Sequence, residues 1–409
     1  MDNLHSSRAL GAFERMFWSW DQHRPNHFCV AAELEGTTTP DQWQRAMRAL
    51  ELRHPLLTAR VVERGAGELW FEPDPAGSIP MRFVSLAAST WEAEASFELQ
   101  QRFDAYIPPR CRLTLLEGGD RTIALFTAHH ALLDGRRVSG LLCELLRLMA
   151  GEKLPPVPPT APPEVVMADA RQSVPVPPLP TPEKAGAFRP LSDRRARIER
   201  VVLSMTETAH LVARCRKEST TVHGALVAAM LAAGRGASPD WLERPVRIAT
   251  PVDIRPLHPS FQEAMGVYIT PARMLDDSPH QAPFWELART IKQNLTPFES
   301  QQSRLAGLNI LASLAERRLG VEDAAALFSQ LLPWDLIVTN LGRLNLATEF
   351  GALRLKAMWG PMVTAGFAGE QVLGAATLHG QLALVHTSYA PFAGLLSTAA
   401  GLLVQNSEP

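Results

Sequence analysis

Apolar positions along the chain alternate between two periods. Phe28, Val30, Ala32 and Leu34 recur at every second residue and Gly36 ends the run, which predicts a half-buried strand over 28–34. A helix follows. Thr39 stands as N-cap, Pro40 and Gln42 take the first and third helical positions, and Trp43, Met47, Leu50 and His54 form one face before Pro55 stops it. Residues 56–62 and 68–72 read as strands of a hairpin turned through Gly65 and Gly67. Residues 111–116 and 122–127 read as a second pair, turned at Gly118-Gly119-Asp120. Past Gly135, the positions Val138, Leu141, Leu142, Leu145, Leu146 and Met149 return to helical spacing.

The second half has the same mixed character. A strand over 200–205 and a helix over 207–217 precede Thr221, which opens a nearly all-apolar helix to 233 that should be buried on most sides. Strands are predicted at 246–254, 267–271, 336–340, 353–358, 371–378 and 382–388. Helices are predicted at 282–294, 302–318 and 393–404. Between the halves, twelve of the 33 prolines fall between Pro155 and Pro190. Proline fixes φ and removes a donor, so 151–197 reads as an extended connector without helix. The expected fold class is α/β in two domains, 1–150 and 198–409, joined by that connector.

A chain of 409 residues with 46% hydrophobic content can bury cores of this size. A net charge of −2 and a pI near 6.6 supply no basic field, so nucleic acid and anionic membrane are not expected partners. Cys29, Cys111, Cys143 and Cys215 show no CxxC or Cys/His ligand spacing, which points to buried thiols in a reducing compartment and to no structural zinc. The first residues lack a charged segment followed by a long apolar one, and no run of about 18 apolar residues occurs. A cytoplasmic monomer without a transmembrane segment is expected.

The chemistry concentrates in His129-His130-Ala131-Leu132-Leu133-Asp134-Gly135. The stretch begins where a strand ends, and Gly135 lets the backbone turn there, so its side chains can project into a cleft. Read from the residues alone, it fits a general base in a cleft, a satisfied core histidine pair, a metal site shared with Asp134, or a polar turn. The metal reading has only three close ligands.

His129 to Gly135 matches the HHxxxDG signature, and the chain resembles the superfamily that holds chloramphenicol acetyltransferase, condensation domains, plant BAHD acyltransferases and polyketide-associated acyltransferases of the phthiocerol type. Four further segments resemble family motifs in order: Arg53-His54-Pro55-Leu56-Leu57, Thr221-Val222-His223-Gly224, Val252-Asp253-Ile254-Arg255 and Thr339-Asn340-Leu341-Gly342-Arg343. The resemblance implies two chloramphenicol-acetyltransferase-like domains with a tunnel between them. It implies His130 as general base for direct attack on an acyl thioester, without an acyl-enzyme; no GxSxG elbow occurs in the sequence. It also implies an Asp134–Arg255 pair that holds the loop, with His129 and Gly135 as support and Thr339 and Asn340 as tunnel or oxyanion residues.

The implied donor is acyl-CoA or a phosphopantetheinyl acyl-carrier protein, with no bound cofactor and no metal. The implied acceptor is a small-molecule or lipid alcohol, giving an ester in natural-product or lipid biosynthesis. An amine acceptor giving an amide is the alternative, and a non-catalytic carrier-docking module is a further one. Glu349-Phe350-Gly351 departs from the BAHD DFGWG motif, which sets that subfamily aside, and Thr58 stands where condensation domains extend RHxxL with arginine; the closest resemblance is to stand-alone, ester-forming polyketide-associated or alcohol acyltransferases of the phthiocerol type. Trp334 and Trp359 are candidates for the acceptor pocket. Arg136-Arg137 and Arg317-Arg318 are candidates for contacts with a phosphopantetheine or an acidic carrier.

Overall fold

The computed structural model describes residues 7–65, 67–178, 185–192, 194–278 and 282–408. Its frame is a pair of six-stranded sheets. The first runs, in spatial order, Glu349–Phe350, Leu353–Val363, His27–Glu35, Arg121–His129, Cys111–Gly118 and Met81–Ser85. The second runs Ile269–Asp276, Val246–Asp253, Leu336–Arg343, Gln371–Leu378, Gln381–Ser388 and Arg197–Leu203. A small third sheet joins Arg8–Ala9 to the hairpin Arg60–Arg64 and Glu68–Glu72.

Each large sheet buries a face against helices. Pro40–Arg53, capped by Thr39 with Gln42 in a capping box, and Gly135–Met149 cover the first with Trp43, Leu50, Leu141 and Leu145. Val222–Ala237 lies in the second core with Phe284–Leu295 and Leu395–Ser407 against it, so its apolar circumference is buried as its composition requires. The α/β class and the two sheet-rich halves are as the sequence predicts.

The halves do not divide at residue 198. Leu353–Val363 leaves the second half and pairs antiparallel with His27–Glu35, placing Trp359 opposite Ala31 and Val363 opposite Phe28. Two of the six strands of the first sheet therefore come from 349–363. The connector also differs from expectation. It carries the short helices Pro163–Val166 and Ala168–Gln172, because Pro163 occupies the first helical position, where its missing N–H has no intrahelical partner to lose. Residues 179–184 and 193 of the connector lie outside the described residues. Residues 55–58 form a 3₁₀ turn in place of a strand, consistent with Pro55 at its first position. The expected strand at 267–271 runs instead from Ile269 to Asp276.

The crossover strand passes close to the motif. A Cβ added at Gly135 would collide with the Pro361 ring, and one at Gly374 would collide with the Pro361 carbonyl. Gly135 is thus required for the space it leaves, since its φ is not in the left-handed region. Gly135→Ala is expected to lower stability by about 1–3 kcal/mol through overpacking. Gly236→Ala, in a helix with open space around it, should be neutral or stabilising. Denaturant midpoints of the two variants test the contrast.

Candidate active site

The motif begins at the end of a central strand. His129 closes Arg121–His129 opposite His27, and its N–H donates to the Arg110 carbonyl at 2.9 Å. The next N–H, of His130, donates to the Asn26 carbonyl at 3.2 Å. Successive side chains on a strand point to opposite faces, so the two histidines meet different surroundings. His129 accepts from the Ala131 N–H at Nδ1 (3.0 Å) and brings Nε2 to 3.5 Å from Asp21 of the helix Ala12–His23. Asp21 also accepts from the Asn26 N–H at 2.6 Å. Burial opposes ionisation of Asp21, but the charge and hydrogen bonds of His129 and His27 outweigh it, and its carboxyl sits well below the usual range.

His130 stacks on Phe17 at 4.1 Å between ring centroids, with Phe28 tilted against it at 4.9 Å. Its Nδ1–H donates to the Leu133 carbonyl at 3.2 Å, which leaves the lone pair on Nε2. The ring lines a chamber of about 150 Å³. Burial pushes its pKa down to about 4, only partly offset by the nearby Asp134 charge, so the imidazole is neutral at physiological pH.

Asp134 turns away from this ring. It caps the helix Gly135–Met149 by accepting from the Arg137 N–H at 3.0 Å, and it accepts from the Tyr268 N–H at 3.0 Å. Nη2 of Arg255 donates to both carboxylate oxygens at 3.0 and 2.9 Å. Both side chains are buried. Burial would raise the Asp134 pKa, but Arg255 and the two backbone donors hold it below the ordinary carboxylate value.

The RHPLL segment supports the same helix from behind. Arg53 Nε and His54 Nε2 lie 2.7 and 2.6 Å from Oε2 of Glu144, and Arg137 donates to Oε1 at 2.8 Å. Arg137 is consequently buried and cannot reach a carrier protein, contrary to its pairing with Arg136 as a surface contact. Arg136 lines the chamber, half-exposed side chain toward Asp253 at 3.7 Å. Thr339, Asn340 and Trp334 line the chamber too. Asn340 Oδ1 accepts from the Gly342 N–H at 2.9 Å, where Gly342 takes a φ of 70°.

Trp359 is elsewhere. It stacks on Trp91 at 5.6 Å and donates to Glu33, so it does not shape this chamber. Arg317 is exposed, and Arg318 lines a second cavity beside the helix Ala12–His23. His223 lies 3.1 Å from the Thr250 hydroxyl, and Thr250 in turn lines the chamber. Burial raises the thiol pKa of Cys111 and Cys143, which keeps both protonated. Among the described residues no group of three His, Cys, Asp or Glu side chains is placed to hold a metal, and no helix is long and apolar enough to cross a membrane.

The helix Ala12–His23, which supplies Phe17, Trp20 and Asp21, is not among the elements predicted from the sequence. Phe13, Phe17 and Trp20 fall at helical spacing and mark its buried face, although Met16 and Trp18 blur the stripe.

Residues 192–348 match the family described as phthiocerol/phthiodiolone dimycocerosyl transferase C-terminus. A stretch of 150 residues, 36% of the chain, is 26% identical to nonribosomal peptide synthetase 8 of Aspergillus fumigatus and spans 2% of that protein's length. Three solved structures share the fold. Polyketide synthase associated protein 5 from Mycobacterium tuberculosis is 20% identical with a TM-score of 0.66, covering 98% of each chain. The TRI3 trichothecene 15-O-acetyltransferase from Fusarium sporotrichioides is 13% identical at 0.70, covering 98% of this chain and 95% of that one. The condensation domain of the monacolin K polyketide synthase MokA is 15% identical at 0.68, covering 98% and 97%. The superfamily resemblance read from the motifs is borne out by these findings, and the architecture extends over nearly the whole chain.

Replacing Arg255 by Met should cost about 3–5 kcal/mol, because it removes the ion-pair partner of the buried Asp134 carboxylate, and replacing Asp134 by Asn should cost less, because Arg255 keeps Asp253 at 3.2 Å. The double variant should cost less than the sum, and additive losses in the cycle would show that the two residues act independently.

His130, His223 and His386 all have pKa values pushed down to about 4 by burial. In the unfolded chain they titrate near 6.5. Between those values the unfolded state binds more protons, so stability increases with pH and is lost as pH falls below about 6.5, by ~1.4 kcal/mol per unit for each histidine. Thermal unfolding followed from pH 7 to pH 5 should show a falling Tm, and a flat profile would contradict neutral burial.

Proposed function

We propose that this chain transfers an acyl group from a CoA or carrier-protein thioester to a hydroxyl acceptor, with His130 as general base. The carrying observation is a neutral imidazole, fixed by Leu133 at Nδ1 and bearing its lone pair at Nε2, on the wall of the chamber. Nε2 takes the proton of the acceptor hydroxyl as its oxygen attacks the thioester carbonyl carbon. The C–S bond then breaks, and the imidazolium returns the proton to the departing thiolate. Burial keeps this ring a weak base in the resting site, an effect that the nearby Asp134 charge offsets only in part.

Thr339 and Asn340 are the proposed donors to the oxyanion. With Asn340 Oδ1 committed to Gly342, its amide N–H groups are the side that can donate. A covalent route has no support in the thiols: Cys29 and Cys215 are pushed up to about 12 by burial, and Cys111 and Cys143 are also raised. Asp134, Arg255, His129 and Gly135 act by holding the turn in place.

His130→Ala should reduce thiol release from acyl-thioesters by about 10²–10⁴ while leaving the circular dichroism spectrum unchanged. Wild-type turnover in the variant would overturn the assignment. Product analysis with a panel of alcohols and amines distinguishes ester from amide formation.

A further inference from the structure

A hydrogen bond at one nitrogen sets the direction of that N–H and leaves an imidazole free to tilt about it. His129 has no such freedom, because Nδ1 meets the Ala131 N–H and Nε2 meets Asp21. The His130 ring is engaged at Nδ1 by the Leu133 carbonyl, and its Nε2 is left for the chamber. A contact other than a hydrogen bond must then set its tilt.

That contact is aromatic. Phe17 lies face to face with the imidazole, 4.1 Å between centroids and 13° from parallel, while Phe28 meets it at 53°. A tilt of the His130 ring toward Phe17 would drive its edge into that face. The Phe17 ring is itself held. Phe13, one turn earlier on Ala12–His23, stacks on it at 4.4 Å with 22° between planes. The start of the helix is tied down as well: Glu164 of the connector accepts from the Ala12 N–H at 2.6 Å, and Glu14 accepts from the Gly11 N–H at 2.7 Å while pairing with Arg8. Arg8 in turn donates to the Met265 carbonyl at 3.1 Å, which fixes the helix against the second half of the chain.

The stack also decides what surrounds the ring. Phe17 is buried, and a face covered at this distance has no room for water. Burial is the largest influence on His130 and outweighs the Asp134 charge. The other charged or titratable groups near the ring are His129, which opposes protonation, and Arg136, Asp253 and Arg255 on the chamber wall. We propose that Phe17 is a positioning residue for His130: its ring fixes the plane in which Nε2 presents the lone pair, and it keeps water from the covered face. The inference rests on the acyl-transfer reading for the reaction that uses this lone pair. A misplacement of about 1 Å can cost about 10²-fold in rate, so loss of the stack should appear in kcat and not in KM.

Three substitutions separate the two roles. Phe17→Ala removes the flat face and admits water, Phe17→Leu keeps an apolar cover without a flat face, and Phe17→Tyr keeps both. In thiol-release assays, Ala and Leu should lower kcat about tenfold to hundredfold with KM little changed, and Tyr should restore it. A purely structural Phe17 would lower the melting temperature and leave kcat of the folded variants at the wild-type value, which overturns the proposal. NMR of 13Cε1-labelled histidine, with His130 identified by the signal lost in His130→Ala, needs no turnover. From pH 8 to pH 5 the wild-type and Leu signals should remain those of a neutral ring. In Phe17→Ala the midpoint should climb by about one unit or more, a tenfold gain in proton affinity, and an Ala titration that matches wild type overturns the proposal. Should Phe17→Ala fail to fold, the Leu and Tyr variants decide, since equal kcat in the two is incompatible with a role for the flat face. Absence of thiol release by the wild type from every donor counts instead against the acyl-transfer reading, and the titration still decides whether Phe17 controls the ring.

Discussion

Asp134 accepts hydrogen bonds from Arg255 and Tyr268 of the second half while capping the helix that follows His130 in the first. A carboxylate buried this deeply is tolerable only when each of its lone pairs is answered, because the cost of removing it from water is several kcal/mol. Its donors come from both halves of the chain. The capped helix, the 3₁₀ turn at Arg255 and the backbone at Tyr268 must therefore arrive in register together, and the backbone between His130 and Gly135 has little freedom once they do. The position of the His130 ring depends on that turn, as does the gap into which the Pro361 ring fits.

Two adjacent histidines illustrate how surroundings divide labour. His129 faces a buried carboxylate, and its ring is oriented at both nitrogens by protein groups. His130 faces aromatic rings and a chamber, with one nitrogen committed and the other carrying its lone pair. The strand's alternation separates them, and nothing in the identity of the residues does. Asp21 couples the two, since it lies against His129 and holds Asn26, whose carbonyl receives the His130 N–H.

The local elements were largely legible. Alternating Phe28 to Leu34, the Thr39 capping box and the apolar spacing after Gly135 each reflect short-range physics, and each element formed near its expected bounds. The pairing of Asp134 with Arg255 came only through family resemblance, since 121 residues separate them and spacing carries no sign of contact. What stayed hidden depends on tertiary context. Arg137 looks like a surface charge until Glu144 and His54 enclose it, and Trp359 looks like a pocket residue until its strand joins the other sheet. Proline content argued against helix in the connector, yet Pro163 sits at the one helical position that tolerates it.

The crossover strand ties the first sheet to residues made late in synthesis. Until Leu353–Val363 emerges from the ribosome, one long side of His27–Glu35 has no partner, and its free N–H and C=O groups form an open edge of apolar, β-prone sequence. Residues 1–198 expressed alone would carry that edge permanently. The chain's amino-terminal half is thus an unfinished sheet awaiting its carboxy-terminal half, and during translation its solubility depends on how quickly the remaining residues follow.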